Sequence, residues 1–306
     1  MKNVEEKKMI SEHPERRPYA SKIDFILEVG TEYKFEGEAC LLLKAPYVVR
    51  IKPKQNEQLG HHQCLTATIE GFSSAGEAEN MGLKLTQSIL WSVISRKFHL
   101  RLLYHTPQPS IVFDRTLTKN NGIRLSSHTS ATLIASTTYI VDLIEQALTN
   151  IDEIDPRLLI SMELFTSAKL ESTERTRFIG LVSSLEPLII QEPYNDPGLD
   201  KLVRDFIEAL DKTPLSVSHK ASVSGRVNEL KKESISHSVK RYVNSYFPDK
   251  PEIAETVLEA YNIRSKLLHE GSFDADIDEK AEKLEDIIRL IYGKILNLDL
   301  MTPAKI

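Results

Sequence analysis

The stretch YNIRSKLLHEG, Tyr261 to Gly271, sets an arginine and a histidine five positions apart, just before a glycine. Those residue types suit cleavage of a phosphodiester. A histidine takes or gives a proton near neutral pH. An arginine keeps its charge and grips phosphate with a planar fork of N–H donors. In RNA the neighbouring 2′-hydroxyl can be the internal nucleophile, so the pair requires no metal. On an ideal helix Arg264 and His269 lie ~140° apart around the axis and ~7.5 Å apart along it, so they do not stack on one face. Gly271 marks a helix end, where the last turn often departs from α geometry. Ser265 stands one turn before His269 and can help to fix its orientation. A dimer that brings two such helices together doubles the site. The helix dipole also favours cations near a C-terminus with no chemistry involved.

The element that carries the pair is predicted as a helix from Pro251 to about His269, with Pro251 suited to its first turn. Ala254, Val257, Leu258, Tyr261 and Leu268 lie near one face, Ile263 and Leu267 on another. Apolar residues on more than one side predict a helix largely buried among its neighbours. After Asp155-Pro156 the pattern is almost wholly helical. Helices are expected over 156–170, 173–190 and 196–212, then one long helix from about Ser218 to Tyr246, the Arg-His helix, and a last one over 277–298. Asp196-Pro197-Gly198, Pro214, Phe247-Pro248-Asp249 and Gly271 fall between these segments. Short connections between antiparallel helices imply a compact bundle over residues 156–300.

The first half reads differently. Residues 1–20 are charged, carry two prolines and read as a flexible leader. Lys22–Val29, the region Tyr33–Lys52 and Cys64–Phe72 have strand character. KPKQNEQLGHHQ (Lys52–Gln63) reads as a charged loop. Ser73 or Ser74 can cap a helix that runs to about Arg96, with Met81, Leu85, Ile89 or Leu90, and Val93 at helical spacing and Trp91 assigned to packing. FHLRLLYH reads as another strand. A polar loop follows, then a helix from about Ser130 to Leu148. The expected fold is thus an α+β domain of unknown role over residues 21–150, followed by an all-α helical bundle.

Bulk composition narrows the function. The chain has 306 residues, 41% hydrophobic and 27% charged, as in a soluble globular protein. A net charge of −5 gives no global attraction to polyanions, so a nucleic-acid site must be a local patch. Such a patch is available in His219–Arg241, where six cations face two carboxylates; Arg226, Lys231 and Lys232 are its candidate RNA contacts. A solvated helix face explains the same charges. Two cysteines, Cys40 and Cys64, fit neither a disulfide framework nor a zinc pattern and are expected to be buried thiols. The N-terminus has no signal-peptide core and no apolar run reaches ~20 residues, so a cytoplasmic protein without membrane contact is expected. Gly-rich phosphate loops and Ser-His-Asp arrangements are absent. His61-His62 lacks companion ligands, and the acidic run from Phe273 to Asp286 suits N-capping by Asp276 or Asp278 better than calcium. No cofactor or metal is expected.

Tyr261, Arg264, Ser265, Lys266, Leu267, Leu268 and His269, late in an all-helical half, resemble the Apea-like branch of the HEPN superfamily. Its signature is Arg, four to six residues, then His, and the branch often reads Tyr, two residues, Arg-Ser-Lys, two aliphatics, His. Leu185-Glu186 looks like the leucine-glutamate element of an earlier family helix, and Arg226 matches an Arg-bearing helix before the signature. The resemblance covers roughly residues 156–300. It implies a HEPN-like bundle acting as a metal-independent endoribonuclease, in a homodimer whose signature helices face each other. Arg264 and His269 would be catalytic, supported by Tyr261, Ser265, Lys266 and Glu186. Such proteins are often bacterial toxins or anti-phage effectors, with a trigger that the N-terminal domain could sense. The alternative is a non-catalytic HEPN module for dimerisation or RNA binding, with Arg264 paired to Glu186 and His269 capping its helix.

Overall fold

The computed structural model describes residues 17–28, 39–42, 47–59, 62–103, 108–117, 135–271, 276–302 and 304. Most of the 1–20 leader, Val29, the start of the Tyr33–Lys52 region, His61 and Phe273–Ala275 lie outside the described residues, as does the beginning of the helix expected from Ser130. An antiparallel sheet region precedes a helical region, with nine helices among the described residues. Contacts divide the chain into two compact units, Met1–Ser184 with Asp276–Ile306, and Leu185–Ala275. This division follows contacts, whereas 21–150 and 156–300 follow composition. The two place the helices before Leu185 and after Asp276 differently.

The first unit is built on six strands: β1 (Tyr19–Glu28), β2 (Ala39–Leu42), β3 (Val48–Leu59), β4 (His62–Phe72), β5 (His99–Leu103) and β6 (Ile111–Asp114). Their order is β2-β3-β4-β1-β5, with β6 also pairing β1. Period-two alternation gives the sheet an apolar face: Ile23, Phe25, Leu27, Val49, Ile51, Leu65, Ala67 and Ile69 are all buried. Lys52–Gln63 is not a loop. It supplies the end of β3 and the start of β4, a hairpin with a register shift between Pro53 and Gln58. Its charges hid the strands because neither face there presents a regular apolar alternation.

Helix α1 (Ala75–Ile94) lies on the apolar face. Ser74 caps it by accepting from the Glu77 amide, and Glu77 reaches back to the Ser73 amide and hydroxyl. A Cβ at Gly82 would come 2.2 Å from the Ser21 hydroxyl, so the helix approaches β1 as only glycine permits. From Leu85 onward α1 is buried on every side. Thr86, Ser88 and Ser92 donate to carbonyls of their own helix, which satisfies hydroxyls that would be costly to bury unpaired. Trp91 is 1% exposed and packs as expected. Cys64 is a buried free thiol.

Helices α2 (Ala135–Asn150), α3 (Pro156–Ala168), α4 (Glu174–Leu185) and α9 (Ile277–Leu296) complete this unit, α4 ending at its boundary. Arg289 of α9 is fully buried and binds the free end of α1. Its Nε donates to the Ile94 carbonyl at 2.9 Å and its Nη2 to the Ser95 carbonyl at 2.8 Å. Asp286 neutralises it at 2.8 Å, and the Thr302 carbonyl takes a further bond. Buried Glu285 joins Lys169 to Arg177, both at 2.7 Å.

The second unit holds α5 (Pro197–Asp211), α6 (Val217–Glu229), α7 (Ile235–Tyr246) and α8 (Pro251–Glu270). The long helix expected over Ser218–Tyr246 is broken into α6 and α7. Ser234 accepts from the His237 amide and starts α7 afresh. Glu233 turns inward to Arg241, which holds it through Nε at 3.0 Å, and its backbone amide donates to the Glu192 carbonyl. A β-bridge from Pro193 to Lys232 ties the chain before α5 to the break. The uninterrupted helical propensity of this segment gave no hint of these tertiary bonds.

Candidate functional site

Helix α8 begins with Pro251 in its first turn and stops at Gly271, whose φ of 69° is a left-handed conformation suited to glycine. Its buried residues are Ile253, Ala254, Val257, Ala260, Ile263 and Leu267. They form one stripe at spacings of three and four, and α8 packs on α7, which buries Val239 and Val243. The expectation of a helix apolar on several sides is therefore corrected. Leu268, placed with the buried set by sequence, is 53% exposed. Ala254 and Val257 of the expected face are buried, but the stripe continues through Ala260, Ile263 and Leu267 rather than through Leu258, Tyr261 and Leu268.

Arg264 lies at the edge of that stripe. Its Nη1 meets Glu186 Oε1 at 2.8 Å, with the arginine side chain 27% exposed and the glutamate 43%. Its Nε is buried without a hydrogen-bond partner. Glu186 follows the last residue of α4 and stands in a turn, exposed rather than buried in an apolar helix. Tyr261, one turn before Ser265, is half-buried. Burial and then the Glu186 charge hold its hydroxyl well above the ordinary tyrosine range, only partly offset by Arg264, so it keeps its proton. Ser265, Lys266 and His269 are exposed. Among the described residues His269 has no hydrogen bond or ion pair, and it is not seen capping its helix. Arg264 thus faces Glu186 while His269 faces outward ~140° around the axis, so one chain does not bring them together.

Three of the six cations of the basic stretch meet carboxylates of their own unit. Lys231 meets Asp200 at 3.1 Å, Lys232 meets Glu229 at 3.2 Å, and Arg241 is shared between Glu233 and Glu192. Lys220 donates to the Asp211 carbonyl. Arg226 is exposed on α6, a helix with no buried residue. Asp276 takes the N-cap position of α9 without a side-chain bond to the helix.

Sequence reasoning missed the fork of Arg241 on Glu233 and the buried ions of the first unit. No local pattern links Lys169 or Arg177 to Glu285, because the partners stand 116 and 108 residues apart. Groups of three or more potential metal ligands are absent among the described residues, and no helix among them is long and apolar enough to cross a membrane.

No family model, curated protein or solved structure matches the chain.

Proposed function

We propose that the chain is a HEPN-type, metal-independent endoribonuclease that works as a homodimer in the cytoplasm, in the manner of a bacterial toxin or anti-phage effector. The observation that carries this reading is the placement of the Tyr261–His269 pattern in the last turns of an amphipathic helix, with His269 and Lys266 exposed and Arg264 at the edge of the packed face. The 2′-oxygen of the substrate attacks the adjacent phosphorus, the bond to the 5′-oxygen breaks, and a cyclic phosphate and a 5′-hydroxyl result. His269 removes the proton from the nucleophile or returns one to the leaving oxygen. Arg264 donates to the non-bridging oxygens as charge builds on them. Because Arg264 and His269 diverge on one helix, each site takes one of them from each copy. Tyr261 and Ser265 position these side chains, Lys266 adds positive charge, and the first unit receives the trigger.

A second reading is favoured by the 2.8 Å pair of Arg264 with Glu186, which occupies the guanidinium as a structural link in a non-catalytic dimerisation or RNA-binding module. Cleavage of mixed single-stranded and transfer RNA in EDTA separates the two. The nuclease reading expects cutting by the wild type that is lost in Arg264→Ala and in His269→Ala, with both variants folded by circular dichroism. Cutting that persists in both variants overturns the assignment of the site, and its absence from the wild type favours the module.

A further inference from the structure

Helix α5 carries two apolar stripes, and the fold covers one of them. Val203 and Leu210 are buried, with Leu199 and Ile207 half-buried beside them, and this stripe packs on α6. The second stripe is Leu202, Phe206 and Ala209, spaced by four and three residues so that they share a face. Leu202 is 65% exposed and Phe206 48%, and Ala209 is exposed with them. The second unit holds nine of the thirteen large hydrophobic side chains exposed among the described residues, so uncovered apolar side chains concentrate here.

Charge borders the open stripe on one side. At ~100° per residue, Lys201, Asp205, Glu208 and Lys212 lie ~80–140° from its centre, all on the flank away from α6. All four are exposed, and among the described residues none of them makes an ion pair. Lys201 stands one turn before Asp205, and Glu208 one turn before Lys212, yet neither pair closes. Asp200, on the covered side of the helix, is engaged by Lys231 at 3.1 Å.

We infer that the open stripe of α5 is a contact surface for a second copy of this chain, which binds through the same stripe, antiparallel, about a two-fold axis. The order of residues is self-complementary. An axis crossing the helix between Ile207 and Glu208 sets Phe206 against Ala209 of the second copy, a large side chain on a small one, and Leu202 against Thr213. The same register brings Asp205 within two residues, ~3 Å along the helix, of Lys212 of the second copy, and the two-fold axis repeats the pair. A parallel pairing in register would instead set Phe206 on Phe206 and like charges together at all four flanking positions. A different apolar partner accounts for the stripe but not for the reciprocal charges along it. A helix of 15 residues is ~22 Å long and covers less than the ~1,600 Å² of a standard interface, so the association is weak and depends on concentration. The inference goes beyond the cleavage reading: it concerns other residues and predicts self-association whether or not the chain cuts RNA.

The test uses the full chain in sedimentation equilibrium from about 1 to 100 μM, a range that spans weak association. The wild type is expected to move toward twice the mass of one chain as concentration rises. Phe206→Glu, with its fold checked by circular dichroism, should raise the dissociation constant at least about tenfold, the loss expected of an aromatic anchor. Asp205→Lys and Lys212→Asp should each raise it about three- to tenfold, since each turns two exposed attractions into repulsions. Asp205→Lys/Lys212→Asp exchanges the charges and should return it to within about twofold of the wild type. A wild type that stays monomeric overturns the proposal and assigns the stripe to a different protein. A Phe206→Glu protein that associates as before overturns it while leaving a homodimer held elsewhere, and so does a double variant no tighter than the single ones. Cleavage lost in Arg264→Ala or His269→Ala at unchanged mass bears on the nuclease site alone.

Discussion

If Arg264 grips phosphate, it must first leave Glu186, and the pair is then a restraint on the reaction. The two groups meet at 2.8 Å but are 27% and 43% exposed, so water screens them. Pairs of this kind are worth about 0.2–1 kcal/mol. At about 1.4 kcal/mol per tenfold in rate, removing the restraint should raise single-turnover cleavage by up to about fivefold. Glu186→Gln keeps the shape and removes the charge, and is the perturbation of choice. Arg264→Ala should lower the rate by about 10²–10³, the usual loss for a donor to a developing oxyanion. The double variant decides the matter: because Glu186 acts through Arg264, Glu186→Gln should give no acceleration when Arg264 is already alanine. The assay is RNA cleavage in EDTA with enzyme in excess. Acceleration that survives the loss of Arg264 refutes the restraint. A Glu186→Gln protein as slow as Arg264→Ala also refutes it and makes the glutamate a positioning group for the arginine.

Two further outcomes concern the first unit. Glu285 is 2% exposed, and although burial pushes its pKa up, Lys169 and Arg177 outweigh that and hold it below the ordinary 4.5, so the stability it contributes is present above that value and lost as pH falls through the lower folded one. Glu285→Gln should therefore lower the thermal midpoint at neutral pH, at a cost of about 3 kcal/mol, and the gap to wild type should close as the medium is acidified below the ordinary glutamate range; a gap independent of pH would count against the ion pairs. Arg289→Met leaves the Ile94, Ser95 and Thr302 carbonyls without their donor, and urea unfolding should show a loss of about 4 kcal/mol, whereas a loss below about 1 kcal/mol would mean that water replaces the guanidinium.

How legible these features were follows from how local their causes are. Ser74 before α1, Asp155-Pro156 before α3, Asp196-Pro197 before α5 and Gly271 after α8 announce their boundaries because each bonds or bends only its immediate neighbours. The pairing of β3 with β4 was hidden because Lys52, Pro53, Lys54 and Glu57 interrupt any period-two apolar pattern in the sequence. The break between α6 and α7 was hidden because Glu233 answers to Arg241 and Glu192, not to its own turn. The candidate site shows both kinds of cause. Its residue types and their spacing are written in one stretch of chain, but the state of Arg264 is set by Glu186, which no periodicity connects to it. The same spacing constrains the chemistry. Residues five apart on a helix point ~140° apart, and the burial of α8 fixes which way each points: Arg264 along the packed edge, His269 outward. Lengthening a side chain does not close such an angle, whereas a second copy related by a two-fold axis does, because it offers its histidine where the first offers its arginine. In the nuclease reading, assembly and catalysis are therefore one step, and the isolated chain, with every candidate residue in place, is the inactive form.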